Sequence, residues 1–409
     1  MIHRAELTAA LWLGLVTLAQ PARAELPPEE VGQVFRLPET VSDHWVWVPD
    51  RLLRHSVLFD GDTSRMLGQV GNGPQVSPRA PLWSRARNEI YIVETVYSRG
   101  HRGERKDFVV IYDSVALDVI GEIELPPRAM ESGTGIALVG ILDGDRFVAV
   151  LNHSPGASVS VADVAQRRLA AEIQTQGCAG VFPAGPTRFG MLCGDGTVIT
   201  VHLKETGELD HIARSGRFFD PVSDPVTEKG VRDGSTWWFV SFEGYLHEVD
   251  FSGDAPLPKA AWSLFTDDER KERWRVGGAQ HIAYHPGTER LYSVVHEGGP
   301  GSHKAPGPEI WVYDVPSKKK VDVFETPNLM AAFLGPQAGF EPNGTTGRIV
   351  NFLLPNLGVH SVAVTQDDAP LLFYRNADLG AVGVLDARTG EHLRDIEEAG
   401  VSGTLLVVP

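Results

Sequence analysis

One phrase recurs along this chain: a β-branched apolar strand, an aspartate, a short polar turn and a second strand. It begins at Ser56 (SVLFDGDTSRMLGQV), Phe108 (FVVIYDSVALDVIGEIEL), Val159 (VSVADVAQRRLAAEIQT) and Thr197 (TVITVHLKETGELDHIA). It returns at Tyr245 (YLHEVDFSGDA), Glu309 (EIWVYDVPSKKKVDVFET) and Ala381 (AVGVLDARTGEHLRDIEE). Asp60, Asp113, Asp163, Asp250, Asp314 and Asp386 hold the turn position, and Lys204 replaces the aspartate in the fourth copy. Copies lie about 54 residues apart on average. Each reads as a hairpin with alternating inward and outward side chains. The aspartate caps the turn through nearby backbone N–H groups, and Gly207 or Gly390 supplies a positive φ. A further apolar strand precedes most copies, as in NEIYIVETVY from Asn88 and STWWFVSFEG from Ser235. One unit therefore holds about four strands. A lone four-stranded sheet cannot bury both faces, whereas a ring of them can. The expectation is all-β: a seven-bladed β-propeller of four-stranded antiparallel blades, in one domain spanning 25–409. The regular spacing favours this ring over a pair of β-sandwiches.

Helical signal is sparse. Thr266, followed by Asp267-Asp268-Glu269, resembles the cap and first turn of a short helix. Between the sixth and seventh copies, Thr326–Asp368 is long and punctuated by Gly335-Pro336 and Pro355-Asn356. It reads as a loop insertion.

The N-terminus sets the compartment. MIHRAELTAALWLGLVTLAQPARA has a weakly basic start, an apolar run from Thr8 to Ala19, and an Ala22-Arg23-Ala24 cleavage pattern. Residues 1–24 therefore read as a signal peptide cleaved after Ala24, and the chain as exported, to the periplasm. No later apolar run is long enough for a membrane anchor. Cys178 and Cys193 are the only cysteines. In an exported chain an even pair reads as one disulfide, the rival being two buried thiols. The formal charge of −16 argues against nucleic acid, whose affinity is built mainly from Lys and Arg at phosphates.

Motifs that announce chemistry are absent from the sequence. There is no G-x-S-x-G elbow and no phosphate-cradling glycine loop. His281 and His285 stand four apart, but flanking Gly277-Gly278 and Pro286-Gly287 make a strand or turn rather than a zinc-binding helix. His303-Lys304 sits in a Gly/Pro-rich loop, and Trp45, Trp47, Trp237 and Trp238 sit on strand patterns that suit packing between blades. The residues alone support an exported propeller scaffold without an evident catalytic group.

Several stretches resemble the heavy subunit of quinoprotein amine dehydrogenases, the methylamine and aromatic amine dehydrogenase family. They are CAGVFPAGPTRFGMLCGDGTVITV from Cys178 to Val201, and the W-R-x-G-G-x-Q-x-x-A-Y-H run from Trp274 with the strand ending at Asp314. YDSVALDVIGEIELP from Tyr112 and QDDAPLLFYRNADLGAVGVLDARTGE from Gln366 extend the likeness. The His303-Lys304 loop leans toward the aromatic amine branch. The resemblance implies a Cys178–Cys193 disulfide and a scaffold that binds no cofactor or metal and holds no catalytic residue. A light subunit would carry tryptophan tryptophylquinone, deaminate primary amines to aldehyde and ammonia, and pass electrons to a cupredoxin such as amicyanin or azurin. Two heavy and two light subunits are expected. Family members place a Phe at the substrate-channel mouth just after a strand ending in Asp. Here Arg51, Leu52 and Leu53 follow Asp50, so Leu52 or Leu53 takes the wall role. The alternative is an exported propeller that serves another partner.

Overall fold

The structure, a computed structural model, describes residues 36–73, 79–133, 135–403 and 405–409; the expected leader over 1–24 lies outside them. Seven antiparallel sheets follow one another along the chain. This is the seven-bladed propeller expected from the repeat. In a typical blade the order along the sheet is the order along the chain, as for Leu82–Ser84, Glu89–Tyr97, Arg105–Asp113 and Val119–Leu125. The first strand of each blade lies innermost. Antiparallel order then fixes the two faces. Turns between second and third strands share one face with the connections between blades. The Asp-capped turns between third and fourth strands occupy the other.

The first blade supplies only three strands in sequence, Trp45–Asp50, His55–Asp60 and Met66–Gly71. The C-terminus supplies its inner edge. Trp47 N donates to Val407 O at 2.8 Å, and Val407 N donates back to Trp47 O at 3.0 Å. Closing the ring this way joins the first blade to the last and covers an otherwise unpaired edge. The sixth blade divides its inner strand into Trp274–Val276 and Ile282–His285, both paired with Arg290–Glu297.

The cores lie between neighbouring blades. Trp238, Phe265, Tyr284 and Trp311 bring the fifth and sixth together. Trp83 meets Trp45 at 5.9 Å and Trp47 at 5.8 Å between the first and second. The tryptophans singled out in the sequence are thus interblade packing, each less than a tenth exposed.

The turn aspartates act as expected. Asp113 Oδ1 accepts from Val115 N and Ala116 N, and Asp386 Oδ1 from Arg388 N and Thr389 N. Four residues after the aspartate the backbone turns left-handed. Gly390 has φ 73°, and Ser64, Leu117, Arg167 and Lys318 take φ of 59°, 57°, 52° and 57° without being glycine. In the fourth blade Gly207 has φ 82° and its N–H reaches Lys204 O.

The 326–368 segment is not a single loop. It contains helix α1 (Met330–Ala338), helix α2 (Thr345–Leu353) and then Ser361–Val364, the inner strand of the seventh blade. Ile349, Phe352 and Leu353 fall at i, i+3 and i+4, the helical spacing that makes one apolar face. The short helix expected after Thr266 spans Asp267–Lys271, with the reciprocal cap between Thr266 and Glu269. No helix among the described residues is long and apolar enough to cross a membrane.

Cys178 and Cys193 face each other across the first hairpin of the fourth blade and are joined by a disulfide. Cys178→Ser should lower stability by about 2–5 kcal/mol under oxidising conditions; an unchanged denaturation midpoint would show that the bridge does not form. Lys318 is exposed, so Lys318→Gly should raise stability by a few tenths to about 1 kcal/mol, relief of left-handed strain being partly offset by greater unfolded-state freedom. Urea denaturation of the two variants reads both effects.

Candidate functional site

The turn after the first strand places Leu52 and Leu53 on the face that carries the interblade connections. Asp50, fully buried, ends that strand and anchors the turn. Its Oδ1 accepts from Leu53 N at 2.7 Å, and its Oδ2 from Val401 N at 2.5 Å and Ser402 N at 2.8 Å. Arg51 N donates to Ser402 O at 2.9 Å. The turn is therefore tied to the connection leading into the closing C-terminal strand. Arg375, also fully buried, donates to Ala399 O at 3.0 Å and Pro49 O at 3.4 Å.

Burial pushes the Arg375 guanidinium down to about 10, the Asp50 charge opposing that shift. Burial alone would raise the Asp50 carboxyl. The N–H groups of Leu53, Ser402 and Val401, with Arg375, outweigh it and hold the carboxyl below its usual range. With its backbone fixed, the turn projects Leu52 and Leu53 outward, 64 % and 50 % exposed. Val401 beside them is also exposed, and so are Ile349, Phe352 and Leu353 of α2, which lies in a connection on this same face.

The other singled-out residues are structural. His281 is buried with its Nε2 3.2 Å from Thr227 Oγ1. His285 caps a turn through Nδ1, 3.0 Å from Thr288 Oγ1, and its Nε2 contacts Asp367 O at 2.9 Å. The two rings serve different neighbours and do not form a metal pair. His303 stacks on Phe242 with centroids 3.8 Å apart. Beside it Lys229 donates to Gly278 O at 2.8 Å, and burial pushes its ammonium down to about 8.

A cavity of about 560 Å³ runs along the axis, lined mainly by inner-strand residues such as Phe182, Tyr284 and Val362, with Trp237 of the fifth blade's second strand. Asp143 and Arg232 meet in it at 2.9 Å. Leu52 and Leu53 do not line it. Gln280, also in its wall, is the glutamine of the W-R-x-G-G-x-Q motif. Its side-chain amide donates to Leu406 O at 2.9 Å and accepts from Leu406 N at 3.0 Å, binding the sixth blade to the closing strand. Sequence reasoning also passed over Asp50 and Arg375 as anchors; nothing in their local pattern distinguishes them from other strand-end charges.

Residues 50–330 match the family model for the methylamine dehydrogenase heavy chain (MADH). The chain belongs to this family. The matched span ends at the first residue of α1. The methylamine dehydrogenase heavy chain of Paracoccus versutus is 27 % identical over 351 residues, covering 84 % of this chain and 73 % of that protein. That of Methylorubrum extorquens is 25 % identical over 356 residues, covering 84 % and 76 %. Among solved structures, a functionally unknown protein from Desulfotomaculum acetoxidans aligns with TM-score 0.53 at 13 % identity, covering 89 % of this chain and 98 % of that one. Dihydro-heme d1 dehydrogenase NirN in complex with DHE aligns with TM-score 0.54 at 14 % identity, covering 95 % and 79 %. These two likenesses concern the fold alone.

The anchor has a direct test. Asp50→Ala leaves Arg375 buried beside a lost counter-charge and three N–H groups without their acceptor, which should cost about 3–5 kcal/mol. Because the folded carboxyl sits below its unfolded value of 3.8, its contribution is complete above that value and fades as pH falls through the folded one. Stability measured from pH 7 to 2 should therefore converge for wild type and Asp50→Asn at the acid end; a constant gap would rule out the charged anchor.

Proposed function

We propose that this chain is the heavy subunit of a periplasmic amine dehydrogenase that oxidatively deaminates primary amines to aldehyde and ammonia. Its leader would be cleaved after Ala24. Two heavy and two light subunits would assemble, with tryptophan tryptophylquinone on the light subunit and a cupredoxin of the amicyanin or azurin type as electron acceptor. The family match over residues 50–330 carries this reading.

The chain's own geometry suits a wall beside another subunit's redox group. Leu52 and Leu53 are apolar and exposed on a turn that Asp50 holds rigid. An apolar wall pressed against a partner excludes water, which strengthens the electrostatics of the enclosed site. The partner's quinone would supply the carbonyl electrophile for amine oxidation. Leu52 and Leu53 would set the width of the approach to it, and Asp50 with Arg375 would keep that wall from shifting. The α2 face with Phe352 would extend the docking surface beyond the leucine turn.

Co-expression with a quinone-maturing light subunit should return a coloured complex that oxidises primary amines. Leu52→Asp/Leu53→Asp should abolish that assembly while leaving the melting of the isolated chain unchanged, since both side chains already face solvent. An isolated chain that oxidises amines unaided would overturn the scaffold role. Recovery of a different partner without quinone would replace it with a propeller serving another function.

A further inference from the structure

The fourth blade is the copy in which Lys204 replaces the turn aspartate, and its outer hairpin brings two histidines together. His202 lies on Val198–Leu203 and His211 on Leu209–Arg214, directly opposite in the antiparallel register. Their rings lie nearly parallel, 8° apart with centroids at 4.3 Å. Both Nε2 atoms meet a single residue of the next blade. His202 Nε2 is 2.7 Å from Asp254 O, and His211 Nε2 is 2.7 Å from Asp254 Oδ1. Asp254 belongs to the turn between Tyr245–Asp250 and Leu257–Pro258 of the fifth blade. One ligand atom from each of His202, His211 and Asp254 can be chosen so that all three lie within 4.8 Å of one another. His211 is oriented from behind, its Nδ1 2.9 Å from Asp210 Oδ2. A ring whose far nitrogen is held by a carboxylate is the arrangement that fixes metal-binding imidazoles.

We propose that His202, His211 and Asp254 form a binding site for a divalent transition metal that staples the fourth blade to the fifth. Two imidazoles and one carboxylate suit Zn(II) or Cu(II), whereas Ca(II) and Mg(II) take oxygen ligands. Bonds of about 2.0–2.2 Å require the three side chains to draw inward from their present contacts, and a fourth position stays open to water. The site lies on the face of the Asp-capped turns, opposite the leucine turn, so it stands independently of the proposed amine dehydrogenase role. Binding needs unprotonated ring nitrogens. The groups facing His211 are Asp210, Asp254 and His202. Metal affinity should therefore climb as pH rises through the histidine range.

The test uses the full chain without a polyhistidine tag. Calorimetric titration with ZnCl₂ should show one site per chain. His202→Ala and His211→Ala should each weaken it by more than about tenfold, the loss typical of even indirect ligand support, and saturating Zn(II) should raise the melting temperature of wild type but not of the variants. Cu(II)-loaded wild type should show coupling to two nitrogens by electron paramagnetic resonance. Unchanged Zn(II) affinity in His202→Ala/His211→Ala, or no saturable site in wild type, overturns the proposal. Should that variant melt early without metal, the Cu(II) spectrum of wild type decides: absence of nitrogen coupling overturns it equally.

Discussion

Ring closure is the constraint on which the molecule depends. An open series of four-stranded sheets would leave one face of its terminal sheets bare and one edge unpaired. Here the pair of hydrogen bonds between Trp47 and Val407 places the chain's last strand inside its first blade. Backbone bonding alone is a thin latch, and the side chains around it reinforce it. Gln280, from the sixth blade, presents its amide to both backbone groups of Leu406, acting as one more strand-like partner. Asp50 and Arg375 hold the connection that leads into the closing strand. Net hydrogen-bond contributions are modest, about 1 kcal/mol each, but leaving such groups buried and unmet is costly. The anchors thus act chiefly by making every alternative position of the C-terminal segment expensive.

The sequence revealed the number of blades because the recurring aspartate marks a geometric necessity. Its carboxylate supplies the acceptor for N–H groups that no strand can satisfy, as at Asp113 and Asp386. The left-handed position four residues later was visible only where Gly390 occupies it. Ser64, Leu117, Arg167 and Lys318 carry the same backbone without its usual residue, since strands clamped on both sides can impose a strained angle that local preference would refuse. The closing strand was hidden for a different reason. Its partner lies about 360 residues earlier, and short apolar runs near a terminus look alike whether paired or not.

The W-R-x-G-G-x-Q motif shows how family likeness can record architecture. Trp274 and Arg275 open the first half of the divided inner strand, which Val276 ends. Gly277 could not carry a Cβ without meeting Ala305 O and the His296 ring, and Gly278 combines a φ of 108° with close approach to His360 O. Ala279 N and Gln280 N then donate to His360 O, and Gln280 reaches the closing strand. The motif builds a junction of the sixth blade, the seventh blade and the C-terminus. Its residues are legible as a signature, but their task could be assigned only once distant segments were placed together.

The axial cavity and the leucine turn make opposite demands on the scaffold. The cavity's walls are mainly inner strands whose positions ring closure already fixes, and its Asp143 is paired with Arg232. It follows from packing seven blades about an axis and can vary little without opening the ring. The turn at Leu52 and Leu53 lies outside that core, held by backbone bonds to Asp50 that do not depend on the identity of either side chain. The same separation applies to α2, whose exposed Phe352 can change without disturbing a blade. A scaffold of this kind keeps its rigid frame in buried charges and edge bonds, and leaves recognition to side chains that the frame positions but does not need.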